Sequence, residues 1–449
     1  MKKSKQLLVI FISLCLLLCL AACDWKIPPS SNRNKYPHAT CSVFTDYTPT
    51  SLFGDLSSTK LRVADNALLE EWEETFYIQL EEETGMTVEI IPMSDSELNN
   101  KIAQAVASGD RRNYFDVAKI STSNLIQQVY TNLIMPIDMY LDREDPALLY
   151  LYTENLDFFA PDIFKIGRYC YGIPTYDFHE NYIFYNKAIF QKMGIPDPYE
   201  EYYLKDNWTF ETFLQTCEAT TKNNQGVNSN ITAFATSDYF TFLAAAGNPV
   251  VQQTDSGKWE VIIDKPNGMA GLDLLYNSAK SGWFDPENYD LEEFLEGEIA
   301  MIIDKPSAAI GFAETKDEIG LLPLPKWNDT EEKYFCALNA SGYGIAACTQ
   351  NSAGAAAYCY YRYIAEQKLL NENFELGLAV LNQEAIDRRT EYISKCEFIV
   401  PLGDGLNDWL DKGVREEFWN KLFSEHLEPA SAIDDMSDLI RKCLKITTG

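Results

Sequence analysis

Histidine and positive charge are both scarce in this sequence. It contains 3 histidines, and 37 lysines and arginines stand against 67 aspartates and glutamates. His38, His179 and His426 lie far apart along the chain, so we expect no histidine-based metal cluster. The formal net charge of −30 repels nucleic acid and anionic lipid headgroups, which excludes both as partners of the folded part.

The motifs of common hydrolases and phosphate-binding enzymes are also absent from the sequence. It has no Gly-x-Ser-x-Gly, no His-Glu-x-x-His and no phosphate-binding loop. The segment from Gly342 to Ala347 matches a loose dinucleotide fingerprint, with Glu366 at a suitable distance, but a glycine-rich strand explains it better. A pair of glycosidase carboxylates cannot be recognised among 67 acids. We therefore expect no enzyme and no cofactor; a cell-surface carbohydrate-active enzyme is the alternative.

No two cysteines have the Cys-x-x-Cys spacing. Eight of the 11 follow Cys23: Cys41, Cys170, Cys217, Cys336, Cys348, Cys359, Cys396 and Cys443. Most of them lie in apolar surroundings, which is typical of small buried side chains. The sequence leaves open whether any of them form disulfides.

The N-terminus has the pattern of an export signal. Lys2, Lys3 and Lys5 precede the apolar run 7–20, and small residues precede Cys23. The Leu-Ala-Ala-Cys exit resembles the lipobox of bacterial lipoproteins, which implies a signal peptide over 1–22 and a lipid on Cys23. An ordinary secretory signal is the alternative. The resemblance implies a protein anchored at the extracellular face of the cell membrane through that lipid only.

Beyond Cys23 no stretch is long and apolar enough to cross a bilayer. Residues 23–58 are rich in Pro, Ser, Asn and Thr, which predicts a flexible spacer. The roughly 390 residues that follow are too many for one hydrophobic core and suit two lobes.

Periodicity after residue 58 predicts an α/β body. Strands are predicted at 61–64, 86–91 and 114–120, with helices at 66–84 and 96–108 between them. Alternation continues with strands at 182–185, 299–303 and 334–338 and helices at 209–221 and 353–365.

An ordered series of short segments resembles the extracellular solute-binding proteins of ABC importers, in particular the group that binds sugars and oligosaccharides. The segments run in the family's order over most of 60–380: Ala107-Ser108-Gly109-Asp110, Phe115-Asp116-Val117, Leu133 to Asp138, Tyr171-Gly172-Ile173-Pro174, Phe184-Tyr185-Asn186-Lys187, Met193 to Pro198, Asn207 to Phe213, Gly297-Glu298-Ile299-Ala300-Met301, Leu322-Pro323-Leu324-Pro325 and Ser341 to Ile345.

This resemblance implies a two-lobed α/β fold of the periplasmic-binding-protein type, with three hinge crossings and a ligand cleft between the lobes. Lobe one would comprise 59–175 and 341–378, and lobe two 176–340 and 379–449. The expected ligand is a sugar or oligosaccharide, and the expected partner is an ABC transporter permease. We expect a monomer. A sensor that feeds a signalling kinase would use the same closed form and is a further alternative.

A sugar site needs carboxylates and amides for hydroxyl groups and aromatic rings for the C–H faces of the sugar. The positions carried over from the family follow predicted strands or crossings: Asp65, Asn66, Ser121, Tyr176, Asp177, His179, Asp304, Ser341 and Tyr343. Tyr239 and Trp283 are the candidate stacking rings, and Trp283 has a core position in lobe two as its alternative. The family's common aromatic residues after the first strand and after the Ala-Met segment are missing here, and Asp304-Lys305-Pro306 occupies the second place.

Overall fold

The computed structural model describes the chain from residue 53 onward with several gaps. The described ranges are 53–65, 71–108, 115–142, 148, 151–153, 158–175, 179–222, 231–254, 257–286, 289–315, 317–381, 383–400, 402 and 412–448. Cys23, the signal peptide, most of the spacer, Asn66, Tyr176 and Asp177 lie outside them.

Nineteen strands and thirteen α-helices occur in the described part. The strands are β1 (Lys60–Asp65), β2 (Thr87–Pro92), β3 (Val117–Ser121), β4 (Ile134–Met135), β5 (Tyr152–Thr153), β6 (Phe158–Phe159), β7 (Lys165–Ile166), β8 (Tyr169–Cys170), β9 (Ile173–Pro174), β10 (His179–Glu180), β11 (Tyr182–Asn186), β12 (Thr232–Thr236), β13 (Val251–Gln253), β14 (Trp259–Val261), β15 (Ile299–Asp304), β16 (Ile319–Leu322), β17 (Tyr334–Asn339), β18 (Ser341–Ala346) and β19 (Cys396–Ile399). The helices are α1 (Glu71–Thr84), α2 (Asp95–Ser108), α3 (Leu125–Tyr130), α4 (Lys187–Met193), α5 (Pro198–Glu201), α6 (Phe210–Lys222), α7 (Phe240–Ala245), α8 (Pro266–Lys280), α9 (Leu291–Glu296), α10 (Ser352–Leu381), α11 (Gln383–Lys395), α12 (Lys412–Phe423) and α13 (Pro429–Thr448).

Two main sheets form the cores of the two lobes, so the predicted two-lobed α/β fold is confirmed. The first sheet has the order β2-β1-β3-β18-β4, with β9 also paired to β18. The second has the order β12-β15-β11-β16. Strand β11 is buried along its whole length, as expected for a strand covered on both faces.

Local sequence explains where several elements begin and end. Phe76 and Leu80, four residues apart on α1, are both fully buried. Gly85 then ends that helix with a φ of +76°, in the left-handed region that glycine adopts without cost. The side chain of Asn186 accepts hydrogen bonds from the backbone N–H groups of Ala188 and Ile189 at 3.0 and 3.3 Å, which caps the start of α4.

Three crossings connect the lobes, as predicted. The first crossing runs from β9 through β10 into β11, and the second returns from β16 through β17 into β18. Strands β10 and β17 of these two crossings pair with each other in a small third sheet, which also contains β19. The third crossing joins α10 to α11: Tyr358 on α10 packs on Tyr343 of the first sheet, whereas Tyr392 on α11 donates to the carbonyl of Leu321 in the second sheet at 2.8 Å.

Gly320 on β16 is required by its neighbour across the sheet. It pairs with Tyr185, and a Cβ at residue 320 would lie inside the tyrosine ring. Replacing Gly320 with alanine should therefore lower the free energy of unfolding by about 1–3 kcal/mol, because the ring of Tyr185 cannot move without losing core contacts. Urea denaturation measures this, with Gly311→Ala as the matched control, since there the nearest atom is the end of the flexible Leu291 side chain. Equal stability of the two variants would contradict the packing described.

Candidate functional site

The polar ends of four strands meet at one edge of the first sheet. β1 and β3 are parallel, so their last residues, Asp65 and Ser121, lie at the same edge. β18 is antiparallel to β3, which places its first residue, Ser341, directly opposite Ser121. Thr175 follows β9 and bonds the Ser341 carbonyl through its backbone N–H at 2.7 Å and its hydroxyl at 3.1 Å. Three of the predicted residues are thus brought together.

Asp65 is held from inside the first lobe. One carboxylate oxygen lies 3.3 Å from the Lys119 ammonium, and the other accepts a hydrogen bond from the Tyr343 hydroxyl. Tyr343 is 3% exposed and packs edge-on against Tyr358, so its ring belongs to the core of the lobe. Burial raises the pKa of the Tyr343 hydroxyl well above its ordinary value, against the opposing charge of Arg362, so the hydroxyl remains a donor at neutral pH.

The hydroxyl groups at this edge are accessible. Ser121 and Ser341 are half-buried, and the Ser121 hydroxyl lies 2.9 Å from that of Ser123. Asn124 fixes the end of β3 by accepting the backbone N–H of Ser121 at 2.9 Å. Such hydroxyls can donate and accept at once, which suits a ligand rich in hydroxyl groups.

The second sheet presents a carboxylate at the corresponding edge. Asp304 ends β15 opposite Tyr182, the first residue of β11. Its carboxylate accepts a hydrogen bond from the Tyr289 hydroxyl and another from the backbone N–H of Lys305 at 2.7 Å. Burial, together with the Asp304 carboxylate, raises the pKa of Tyr289 above its ordinary value, so this hydroxyl also stays protonated. Asp304 is half-buried and has further acceptor capacity for a ligand hydroxyl.

Tyr239 lies beyond the end of β12 in an aromatic cluster that includes a residue not foreseen from the sequence, Trp419. The two ring centroids are 4.9 Å apart, and Trp419 stacks on Phe423 at 5.5 Å. Trp419 is 7% exposed, and its indole N–H has no hydrogen-bond partner among the described residues. A buried N–H without a partner indicates a place for a ligand atom or a water. The four-residue spacing of Trp419 and Phe423 matches an ordinary core stripe, so no sequence signal distinguished it.

The other predicted stacking ring, Trp283, lies further from this edge. Its carbonyl accepts the backbone N–H groups of Ala233 and Phe234, in the first half of β12. The ring is half-buried and packs against the core of the second lobe. The structure therefore does not bring Trp283 to Asp304, and its contact with a ligand stays a prediction.

The hinge contains a buried ion pair that the sequence did not reveal. Glu180 on β10 is 5% exposed and accepts two hydrogen bonds from Arg389 on α11, at 2.9 and 2.7 Å, and one from the Tyr182 hydroxyl at 2.7 Å. This pair joins the first crossing to the third. The backbone of His179 lies beside it on β10; its side chain is not among those described.

Asp238 is a second residue missed from the sequence. It follows β12 at the same edge as Asp304, and its carboxylate accepts the backbone N–H of Phe240 at 3.0 Å and the side-chain amide of Asn181 at 3.3 Å. It therefore connects the segment between the first crossing and β11 to the start of α7.

The described residues contain no group of three or more His, Cys, Asp or Glu side chains placed to hold a metal ion. In the same part of the chain, no helix has both the length and the apolar character needed to span a bilayer. None of the six cysteines whose side chains are described, at positions 170, 217, 336, 348, 359 and 396, forms a disulfide with another of them.

A protein-family model described as bacterial extracellular solute-binding protein matches residues 59–359, more than half of the chain. The chain belongs to this family. The resemblance read from the ordered segments is thereby confirmed. None of the curated proteins compared with this solute-binding protein matches it significantly in sequence.

Solved structures of sugar-binding proteins share the fold. The sugar-binding protein MalE of Xanthomonas citri superposes with a TM-score of 0.63 at 14% identity, over 86% of this chain and 98% of that one. An ABC substrate-binding protein of Listeria monocytogenes in complex with cycloalternan gives 0.61 at 15% identity, over 86% and 99%. An ABC transporter solute-binding protein of Thermotoga lettingae bound with alpha-D-tagatose gives 0.57 at 18% identity, over 86% and 100%.

The dinucleotide fingerprint at 342–347 is an internal part of this fold. Gly342 and Gly344 lie inside β18, which pairs with β3 and β9, and not in a turn that opens a helix. A Cβ at Gly342 would meet the carbonyl of Ile173, and one at Gly344 would meet that of Tyr171. The glycines therefore allow close packing of the crossing segment on β18.

Proposed function

We propose that this solute-binding protein is a lipid-anchored extracellular receptor that captures a sugar or oligosaccharide and delivers it to an ABC transporter permease. Family membership supports the role in solute binding. The sugars bound by two of its structural neighbours, cycloalternan and alpha-D-tagatose, support a carbohydrate ligand. The protein would act by binding alone, without a reaction.

The observation that carries the proposal is the chemistry of the two polar strand edges, one on each main sheet. Ser121 and Ser341 offer hydroxyls on one sheet, and Asp304 offers a carboxylate on the other. Tyr239 and Trp419 add aromatic rings, and the Trp419 N–H has no hydrogen-bond partner among the described residues. Hydroxyls, a carboxylate and rings are the groups that a sugar needs for its polar rim and its apolar faces.

The proposal includes the predicted lobe boundaries, the predicted lipid anchor and the other candidate residues. Lobe one would comprise 59–175 and 341–378, lobe two 176–340 and 379–449, and Cys23 would carry the lipid. Asp65, Asn66, Tyr176, Asp177, His179, Trp283 and Tyr343 are retained as candidate ligand or supporting residues. Closure of the lobes around the ligand would exclude water and strengthen each hydrogen bond, so the permease would recognise the closed form. The lipid would keep the receptor near its membrane partner and raise its local concentration there.

A thermal-shift screen tests the ligand class. Mono- and oligosaccharides should raise the melting temperature, and a ligand at about 100 times its Kd should add about 2.7 kcal/mol of stability. Peptides and polyamines serve as the comparison compounds. Stabilisation by these alone would overturn the sugar proposal, and recovery of a hydrolysed glycan would favour the enzyme.

Two conservative variants locate the binding site. Asp304→Asn removes the negative charge and keeps the shape of the side chain, and Trp419→Phe removes the indole N–H and keeps an aromatic ring, so each should weaken sugar affinity about tenfold or more in calorimetry. Asp329→Asn and Trp327→Phe make the same exchanges at residues that are not among the candidates: Asp329 is exposed, and the Trp327 indole N–H already donates to Glu331 at 3.3 Å. Equal affinities in all four variants would place the ligand elsewhere.

A further inference from the structure

A cavity of about 650 Å³ lies beside the small sheet of the hinge. One wall is the hairpin β7–β8, whose chain continues into β9 of the first sheet. The opposite wall is the hairpin β13–β14, which follows α7 of the second lobe. The floor is residues 398–402, from β19 of the hinge sheet and just beyond it. None of the predicted sugar-site residues whose side chains the structure describes lines this cavity.

The floor and one wall of the cavity are apolar and incompletely covered. Trp259, Phe398, Ile399 and Val400 line it, and each is only half-buried. The indole N–H of Trp259 donates to the Tyr130 hydroxyl of the first lobe at 2.6 Å, which fixes the ring in place. Half-exposed apolar side chains gathered around one concavity are typical of a groove for an apolar ligand body.

The charged side chains among the described residues of the cavity are positive. Lys165 and Arg168 line it, and no aspartate or glutamate is among the described residues that do. This sign is unexpected in a chain with 67 acids and 37 basic residues. The Lys165 ammonium has the Asp162 carboxylate 3.8 Å away, whereas the Arg168 guanidinium lies over the ring of its neighbour Tyr169 at 4.7 Å. The stacking orders the guanidinium at the rim, where it can pair with an acidic group in two-pronged geometry.

We propose that this hinge-side cavity is a second binding site, for a small amphipathic anion. Its apolar or aromatic body would lie against Trp259, Phe398 and Val400, and its acidic group would pair with Arg168. Gln252 and Gln253 line the same cavity and supply amide groups for polar substituents. The volume is within the range of about 300–1,000 Å³ that small-molecule sites occupy. Because both lobes and the hinge strand contribute, an occupant contacts every part that moves when the lobes close.

Titration with 1-anilinonaphthalene-8-sulfonate tests the proposal, since this dye combines an aromatic body with one acidic group. We expect saturable one-to-one binding in calorimetry and fluorescence. The uncharged analogue N-phenyl-1-naphthylamine should bind about tenfold more weakly or worse, because it cannot pair with the guanidinium. No sugar is present, so the result is independent of the proposed transport function.

Two variants assign the dye to this cavity. Arg168→Gln should weaken dye binding about tenfold and leave the uncharged analogue unaffected, whereas Trp259→Ala should weaken both. Lys205→Gln, which also removes an exposed cation, is the control and should change neither. Arg168 is exposed, so its variant keeps the test valid even where Trp259→Ala fails to fold. Dye binding that is absent, or that is equal in Arg168→Gln and the unmodified protein, would overturn the proposal.

Discussion

Replacing Arg362 with methionine should lower the free energy of unfolding by about 3–5 kcal/mol. Arg362 on α10 is 5% exposed, and its guanidinium bonds the carboxylates of Glu73 at 2.6 Å and of Glu366 one turn further along the helix. Both glutamates are buried as well, at 3% and 2% exposure. Methionine would fill most of the space but remove the guanidinium that bonds both buried carboxylates, and their desolvation cost, no longer offset by that charge, is the main source of the expected loss.

Urea denaturation of matched variants separates this effect from the loss of a surface pair. Lys205→Met removes an exposed pair with Glu201, whose atoms lie 2.9 Å apart, and should cost at most about 1 kcal/mol. A triple variant, Arg362→Met with Glu73→Leu and Glu366→Leu, should recover most of the stability, because no charge is then left unpaired. If the Arg362→Met variant is as stable as the Lys205→Met variant, the two glutamates are not buried as described.

The buried cluster around Arg362 also contacts Tyr343, the residue that holds Asp65 in the candidate site. The guanidinium lies 5.5 Å from the ring centroid of Tyr343, and the Tyr343 hydroxyl holds Asp65 at the edge of the first sheet. The Tyr77 hydroxyl, 3.3 Å from Arg362, completes the polar cluster by contacting that of Tyr358 at 3.2 Å. The position of the Asp65 carboxylate is therefore set by packing deep in the lobe.

Short-range patterns in the sequence were sufficient for several of the strands and helices. The predicted strand 61–64 corresponds to β1, and the predicted helix 209–221 corresponds to α6, and each prediction differs from the structure by one residue at both ends. Periods of two and of about 3.6 residues are local properties, so they can be read without knowing the fold. The helix predicted at 353–365 instead runs to Leu381. No proline interrupts the chain in the added part, and the apolar stripe from which we predicted the end of the helix is not the only factor that stabilises a helix.

The site was only partly predictable because its decisive contacts join distant parts of the chain. Glu180 and Arg389 are 209 positions apart, and Tyr343 and Asp65 are 278 apart. A buried charge without a visible partner looks the same in the sequence as a surface charge. Trp419 was missed for a related reason: its unpartnered N–H becomes informative only once its neighbours are known.

Raising the pH above about 10 should remove the stability of the fold steeply, because several tyrosines are buried with their hydroxyls protonated. Burial raises the pKa of Tyr77 to about 12. The pKa values of Tyr182, Tyr343 and Tyr358 are well above the ordinary value, in each case mainly because of burial. These groups bind their protons more tightly in the folded state, so stability is unaffected below the unfolded pKa of about 10 and falls as the pH rises above it.

The expected slope of the free energy of unfolding against pH follows from the number of tyrosine protons that the unfolded chain releases at a lower pH than the folded protein does. Four tyrosines give roughly 5 kcal/mol per pH unit, so a domain of ordinary stability should unfold within about one to three units above pH 10. Urea midpoints from about pH 8 to about pH 11 measure this, with tyrosinate absorbance reporting ionisation only upon unfolding. Tyr358→Phe should reduce the slope by about 1.4 kcal/mol per pH unit, and Tyr169→Phe, whose ring is 37% exposed, should leave it unchanged. Tyrosinate that forms in the folded protein near pH 10 would mean that these hydroxyls reach solvent, and the cluster that holds Asp65 would then be open to water.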